Sequence, residues 1–175
     1  MFCTTYYSPV GKLTMASDGE NLTGLWIEGQ KYFTTMKLEY KDDLPIFDKA
    51  RDWLDRYFSG KKPDCSELPL SPVGGEFRQT VWKLLGEIPY GQTVTYGELA
   101  KKTAQILGKE KMSAQAVGGA VGHNPISIIV PCHRVVGADG SLTGYAGGIG
   151  IKVRLLKLEG VDMSKLYVPE KGTAL

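Results

Sequence analysis

Between Tyr6 and Ile27, short apolar-polar runs are interrupted by turn formers. Ser8-Pro9-Val10-Gly11 and Asp18-Gly19-Glu20-Asn21 separate segments such as Lys12–Ala16 and Leu22–Ile27, so this stretch reads as strands. The period then changes. Ala50, Trp53, Leu54, Tyr57 and Phe58 recur at helical spacing, opposite Lys49, Arg51, Asp52, Asp55 and Arg56. That predicts a helix over about 46–58, with Trp53 and Tyr57 as core aromatics. From Ser59 to Gly75 periodicity lapses into Pro- and Gly-rich chain, the expected connection between domains at 1–75 and 76–175.

Helical spacing resumes at Glu76. Phe77, Val81, Leu84, Leu85 and Ile88 form one apolar face, ending at Pro89-Tyr90-Gly91. Thr95 and Glu98 have the spacing of a capping box and open a short helix to about Thr103. Ser113 can cap a second, Ala114 to Val121, and two short helices joined by a loop suggest a helix-turn-helix. This second helix has no Arg or Lys, and its surface is largely Ala and Gly. Such small side chains suit either close approach to a DNA minor groove or close packing on a neighbouring helix. Asn124-Pro125 ends it, and Ile126–Val130 reads as a buried strand running into Pro131-Cys132-His133-Arg134-Val135-Val136. Asp139-Gly140 marks a turn, Gly144–Gly148 a loop, and Ile151–Leu158 a closing helix before Glu159-Gly160.

Composition narrows the class of protein. At 42% hydrophobic and 23% charged residues, the 175-residue chain is ordinary for a globular protein. No apolar run approaches the roughly 18 residues of a membrane span, and the N-terminus lacks the layout of a secretory signal. A cytoplasmic protein without a membrane association is expected. Cys3, Cys65 and Cys132 lie far apart, and with His123 and His133 they offer no metal-ligand spacing, so no metal is expected. Cys3 and Cys65 read as inert thiols. Residues 1–75 carry 9 basic and 11 acidic side chains, and residues 76–175 carry 12 and 8, which makes the second part the better partner for a polyanion.

Cys132 beside His133 is a candidate thiolate site, because a nearby base or cation lowers a thiol pKa. A buried, inert cysteine is the competing reading. Neighbouring strand residues point to opposite faces, so a water relay between the two is plausible. Glu159 reads either as a solvated charge at a helix end or as a carboxylate that orients His133.

Taken together, Asn124-Pro125, the Pro131–Val136 segment and Gly144-Tyr145-Ala146-Gly147-Gly148 resemble the signature of the methylated-DNA–protein-cysteine methyltransferases, the O6-alkylguanine-DNA alkyltransferases. The resemblance covers about residues 76–160 strongly and the first domain loosely. It implies an N-terminal α/β ribonuclease H-like domain followed by a mainly α winged-helix-type DNA-binding domain. Under it, Cys132 attacks the O6-alkyl carbon, His133 relays the proton through water, and Glu159 holds His133. Tyr96 helps turn the nucleotide and protonates the leaving guanine. Asn124 ties the recognition helix to the active segment. Val135, Tyr145, Ala146 and Gly147 line the guanine pocket. Ala114, Gln115, Ala116, Gly118 and Gly119 meet the DNA. Gln115 stands where many members have an arginine finger, which implies weaker or more salt-tolerant binding. The implied partner is duplex DNA containing O6-alkylguanine or, less readily, O4-alkylthymine. No cofactor is implied, each molecule acts once, and a monomer suffices. A non-catalytic lesion-binding protein is the alternative, and a Cys-His hydrolase or acyltransferase a more distant one.

Overall fold

The alternation over the first residues resolves into three strands: β1 (Phe2–Ser8), β2 (Gly11–Ser17) and β3 (Leu22–Ile27), all in the computed structural model, which describes residues 1–170. Residues 171–175, the end of the expected second domain, lie outside the described residues. β1 and β2 form an antiparallel hairpin whose turn needs the positive φ of Gly11, 117°, a conformation open to glycine. β3 runs antiparallel to β2, and a two-residue strand, β4 (Glu39–Tyr40), lies parallel to β1, giving the order β3-β2-β1-β4. Helix α1 (Pro45–Phe58) starts on a proline, tolerated because a first-turn N–H has no partner in the helix anyway. Its apolar face, Phe47, Ala50, Trp53, Leu54 and Tyr57, is buried with Leu13, Met15, Leu25 and Ile27 of the sheet in one core cluster.

β3 is buried along its whole length although it is an edge strand. Its outer edge is closed by chain from elsewhere: Leu22 N–H donates to Pro69 and Leu25 N–H to Pro125, while Ser71 and Ser127 donate back to Leu22 and Leu25. An open edge would expose unpaired backbone groups. Here that edge is the seam to which the approach to Cys132 is pinned.

The second part is helical. α2 (Glu76–Gly86), α3 (Tyr96–Ile106) and α4 (Ala114–Gly122) pack on one another, and α5 (Ile149–Leu158) follows the Gly144–Gly148 loop. The Thr95–Glu98 capping box forms as expected, and Ser113 caps α4 by accepting from Gln115 and Ala116 N–H. Strands β5 (Val94–Thr95) and β6 (Val135–Val136) make a short parallel pair that joins the start of α3 to the end of the cysteine segment. The architecture is thus a sheet-containing first domain and a helical second one.

The structure corrects the reading of the segment before Cys132. Ile126–Val130 is not a strand. Only Ile126 bridges to Leu25, and the chain then folds on itself, with Val130 N–H donating to Ile126 and Ile129 N–H to Ser127. Ile128 takes φ 72°, a conformation that strains a β-branched residue by about 1–3 kcal/mol. Burial of Ile126, Ile128, Ile129 and Val130 offsets that strain. Apolar content alone does not separate a buried turn from a buried strand.

Candidate active site

The fold at Ile126–Val130 is held from inside by Asn124. Its amide donates to the Val130 carbonyl (2.8 Å), and its Oδ1 accepts from Ile126 N–H (3.0 Å). The chain leaves this knot at Pro131, and Cys132–Arg134 form one 3₁₀ turn rather than the extended segment expected from the sequence. Cys132 and His133 are both buried. Burial pushes the Cys132 thiol up, while the Asn124 amide, the Lys152 ammonium and the backbone N–H groups of Cys132 and His133 pull it the other way. Burial is the larger influence and holds the thiol pKa above its ordinary value.

His133 Nε2 lies 2.6 Å from Glu159 Oε1, with both side chains fully inaccessible to solvent. Glu159 is therefore the carboxylate that orients His133, not a solvated charge. It caps α5, whose buried residues Lys152, Leu155 and Leu156 precede it at helical spacing. Its oxygens are saturated. Oε1 accepts from His133, from the Tyr57 hydroxyl (2.8 Å) and from Arg134 Nη2 (2.9 Å). Oε2 accepts from Arg134 Nε (2.9 Å) and Gly91 N–H (3.2 Å). Burial pushes this carboxyl up, but the bonds and charges of His133 and Arg134 outweigh it and bring its pKa down to about 2. Arg134 is itself held by the Ile88 carbonyl (2.6 Å) and lies over the Tyr90 ring. With Nε2–H given to Glu159, His133 Nδ1 remains an acceptor. It is buried and has no partner. Burial, the larger influence, holds the ring below its ordinary pKa against the opposing pull of Glu159.

The other walls come from three directions. Tyr145 is buried with a hydroxyl that also lacks a partner, and its ring meets that of His133 edge-on at 6.5 Å. The Tyr96 hydroxyl donates to the Thr143 carbonyl (3.0 Å), next to Gly144, where φ is 78° and a side chain would strike that hydroxyl. At Gly147 a Cβ would stand 2.8 Å from both Ile27 and the Tyr145 ring. Glycine is required for this close approach. The Ala146 carbonyl accepts from Lys31 N–H of the first domain (3.0 Å). The Val135 carbonyl already accepts from Lys152 Nζ (2.6 Å), which also reaches Thr143. Burial lowers the Lys152 pKa to about 8, against an upward pull from Cys132. A separate cavity of about 1200 Å³ opens behind this segment, between the linker and α2, touching Pro131 and Arg134 but neither Cys132 nor Tyr145.

α4 presents two different faces. Val117, Ala120 and Val121 are buried, and the Ala120 carbonyl accepts from the indole of Trp82 on α2 (2.9 Å). Ala114, Gln115, Ala116 and Gly119 are exposed, and nothing lies within 4 Å of a Cβ placed on Gly119. Gly118 sits beside the Tyr96 ring. The small residues of the outer face therefore do not serve packing within the chain.

The structure thus links Cys132, His133, Glu159, Asn124, Tyr145 and Gly147 through direct contacts, with Ala146 between the last two, sets Val135 and Tyr96 beside them through Lys152 and the Thr143 carbonyl, and leaves the α4 residues next to Tyr96. Sequence reasoning gave no role to Tyr57, Arg134, Gly91 or Lys152. Lys152 left a usable signal: with Leu155, Leu156 and Glu159 it repeats at i, i+3, i+4 and i+7, a lysine on a buried face. Tyr57 left none, since a core aromatic has the same spacing. Among the described residues no cluster of three or more His, Cys, Asp or Glu is placed to hold a metal ion.

Comparisons with known proteins place the whole chain in one family. Residues 1–72 match the ribonuclease-like domain of 6-O-methylguanine DNA methyltransferase, and residues 76–161 match its DNA binding domain. The methylated-DNA–protein-cysteine methyltransferase of Haemophilus influenzae is 44% identical over 173 residues, covering 99% of this chain and 91% of the relative. That of Mycobacterium tuberculosis is 46% identical over 155 residues, 89% of this chain and 90% of the relative. The crystal structure of Mycobacterium tuberculosis OGT in complex with DNA superposes with a TM-score of 0.80 at 44% identity, covering 91% of this chain and 93% of that one. The chain belongs to the methylated-DNA–protein-cysteine methyltransferase family.

Proposed function

We propose that this protein repairs duplex DNA by taking the alkyl group, chiefly methyl, from O6 of guanine onto Cys132, once per molecule. The observation that carries this is the buried hydrogen bond between His133 and Glu159 next to the buried Cys132, with His133 Nδ1 itself buried and unpartnered. The sulfur attacks the alkyl carbon as the carbon–O6 bond breaks, and the thiol proton passes to Nδ1 through a water. Glu159 then stabilises the imidazolium without taking its proton, because both carboxylate oxygens are already occupied by donors. Guanine leaves as the oxyanion-type base and recovers a proton, a role that suits the Tyr96 hydroxyl at the pocket wall. The product is a thioether, which no group in the site can cleave.

A base within the stack cannot reach a thiol this deeply buried, so the nucleotide turns out of the duplex into the pocket between Tyr96 and Tyr145. The outer face of α4, free of bulky side chains, suits a minor groove, and α3 and α4 act as a helix-turn-helix within a winged-helix-type domain. The first domain corresponds to the ribonuclease H-like class. Action as a cytoplasmic monomer is consistent with one event per molecule. No helix among the described residues is long and apolar enough to cross a membrane.

The test is incubation with a duplex containing one O6-methylguanine, followed by intact-protein mass. One added methyl, mapped to Cys132 and missing from Cys132→Ala, is the expected result. Binding of the lesion without any mass change would leave a lesion-binding protein, and repeated turnover would indicate a hydrolase.

A further inference from the structure

Tyr57 belongs to the first domain, yet its hydroxyl ends inside the polar network of the second. The ring is fully buried and clamped by its neighbours: Trp53 stacks on it at 5.5 Å, and Phe58 and Tyr90 meet it edge-on at 5.1 and 5.9 Å. With the ring fixed, the hydroxyl has one place to go. It donates to Glu159 Oε1 at 2.8 Å and lies 3.5 Å from His133 Nε2. Burial, followed by the charge and hydrogen bond of Glu159, raises the phenol far above its ordinary pKa, so it acts as a neutral donor and never as a base.

Resting on the alkyl-transfer reading above, we propose that Tyr57 is a positioning residue for the transfer, holding Glu159 Oε1 where it keeps His133 Nδ1 aimed at Cys132. The same oxygen serves His133 and Tyr57. Tyr57 therefore also limits how strongly the carboxylate draws on the imidazole. Arg134 and Gly91 restrain the other oxygen and the carboxylate plane, but only Tyr57 joins His133 and Arg134 at Oε1 from a different domain. The groups facing His133 are Cys132, Tyr145, Lys152, Arg134, Glu159 and Tyr57. Among them Tyr57 is contributed by the first domain, so docking of α1 onto the second domain completes the proton relay.

The physical consequence has a sign. Removing the hydroxyl leaves Oε1 with fewer donors, so its charge acts more strongly on His133 and the imidazole becomes more basic. A more basic His133 is protonated already at higher pH and cannot accept the thiol proton there. In single-turnover methyl transfer, Tyr57→Phe should slow the rate roughly tenfold at neutral pH, as expected for loss of one hydrogen bond to a charged group. Its acid limb should also move upward, by about half a pH unit or more. Phenylalanine keeps the ring and its packing, so thermal unfolding is measured alongside. In a Glu159→Gln background, Tyr57→Phe should add little further loss, because its path runs through the missing carboxylate.

An acid limb that stays in place or moves down, or losses that simply add in the double variant, would make Tyr57 a packing residue and overturn the proposal. Absence of methylation in the unmodified protein would instead count against alkyl transfer itself, so the two failures are distinguishable.

Discussion

The surroundings of Cys132 and the outer face of α4 lie close together and are built in opposite ways. In the first, Glu159 accepts from His133, Tyr57, Arg134 and Gly91, Asn124 is bonded on both ends of its amide, and Lys152 is spent on two carbonyls. Two buried polar side-chain atoms there lack a partner, His133 Nδ1 and Tyr145 Oη. In the second, Ala114, Gln115, Ala116 and Gly119 touch little, and α4 carries no charged side chain. Charge separation in a buried site needs dipoles already in place, since reorganising them during the reaction would add to the barrier. A surface meant for another macromolecule needs the reverse: little of its own to clear away, and few polar groups to desolvate.

Breaking the first region should therefore cost far more than altering the second. Glu159→Gln leaves the Arg134 guanidinium buried with no anion, so unfolding in urea should show a loss of about 3–5 kcal/mol. Methyl transfer should fall by about 100-fold or more, as His133 loses its orienting charge. There is an acid signature as well. Glu159 ionises at about 2 in the folded protein against an ordinary 4.5, so its contribution to stability is full above about pH 4.5 and is lost as pH falls toward 2. Stability curves of the unmodified protein and Glu159→Gln should converge over that range. An unchanged gap between them would mean that the folded protein does not stabilise the ionised carboxylate of Glu159.

On α4, Gly119→Leu places a large side chain in open space. Thermal stability should stay within about 1 kcal/mol of the parent, because a helix interior prefers leucine to glycine. Duplex affinity, measured by fluorescence anisotropy, should weaken by about tenfold or more. Undiminished binding would show that this face does not approach DNA. Gln115→Arg is expected to have the smallest effect. It adds one cation at an exposed position, so affinity should tighten and the slope of log K against log salt should steepen by about 0.9. An unaltered slope would remove Gln115 from the interface.

Elements set by near neighbours were readable in advance. α1 matched its predicted apolar spacing and α3 its predicted capping box, because capping and amphipathic burial are decided within a few residues. The Ile126–Val130 turn was not. What overrode its strand-like composition was a pair of backbone bonds to Leu25, about 100 positions away, and the Asn124 side chain. The site residues were legible where they sit in contiguous segments, as Cys132, His133, Tyr145 and Gly147 do.

Residue order alone determined the two-part layout, the chemistry available at Cys132 and His133, and the absence of charge on α4. Those are matters of covalent identity and local periodicity. Only the tertiary structure decided that Glu159 is buried rather than solvated, that the Tyr57 hydroxyl reaches it from the first domain's core, and that Lys152 binds the Val135 and Thr143 carbonyls. An ionisable side chain acquires its protonation state and its reach from the groups packed around it, and sequence distance does not encode those groups.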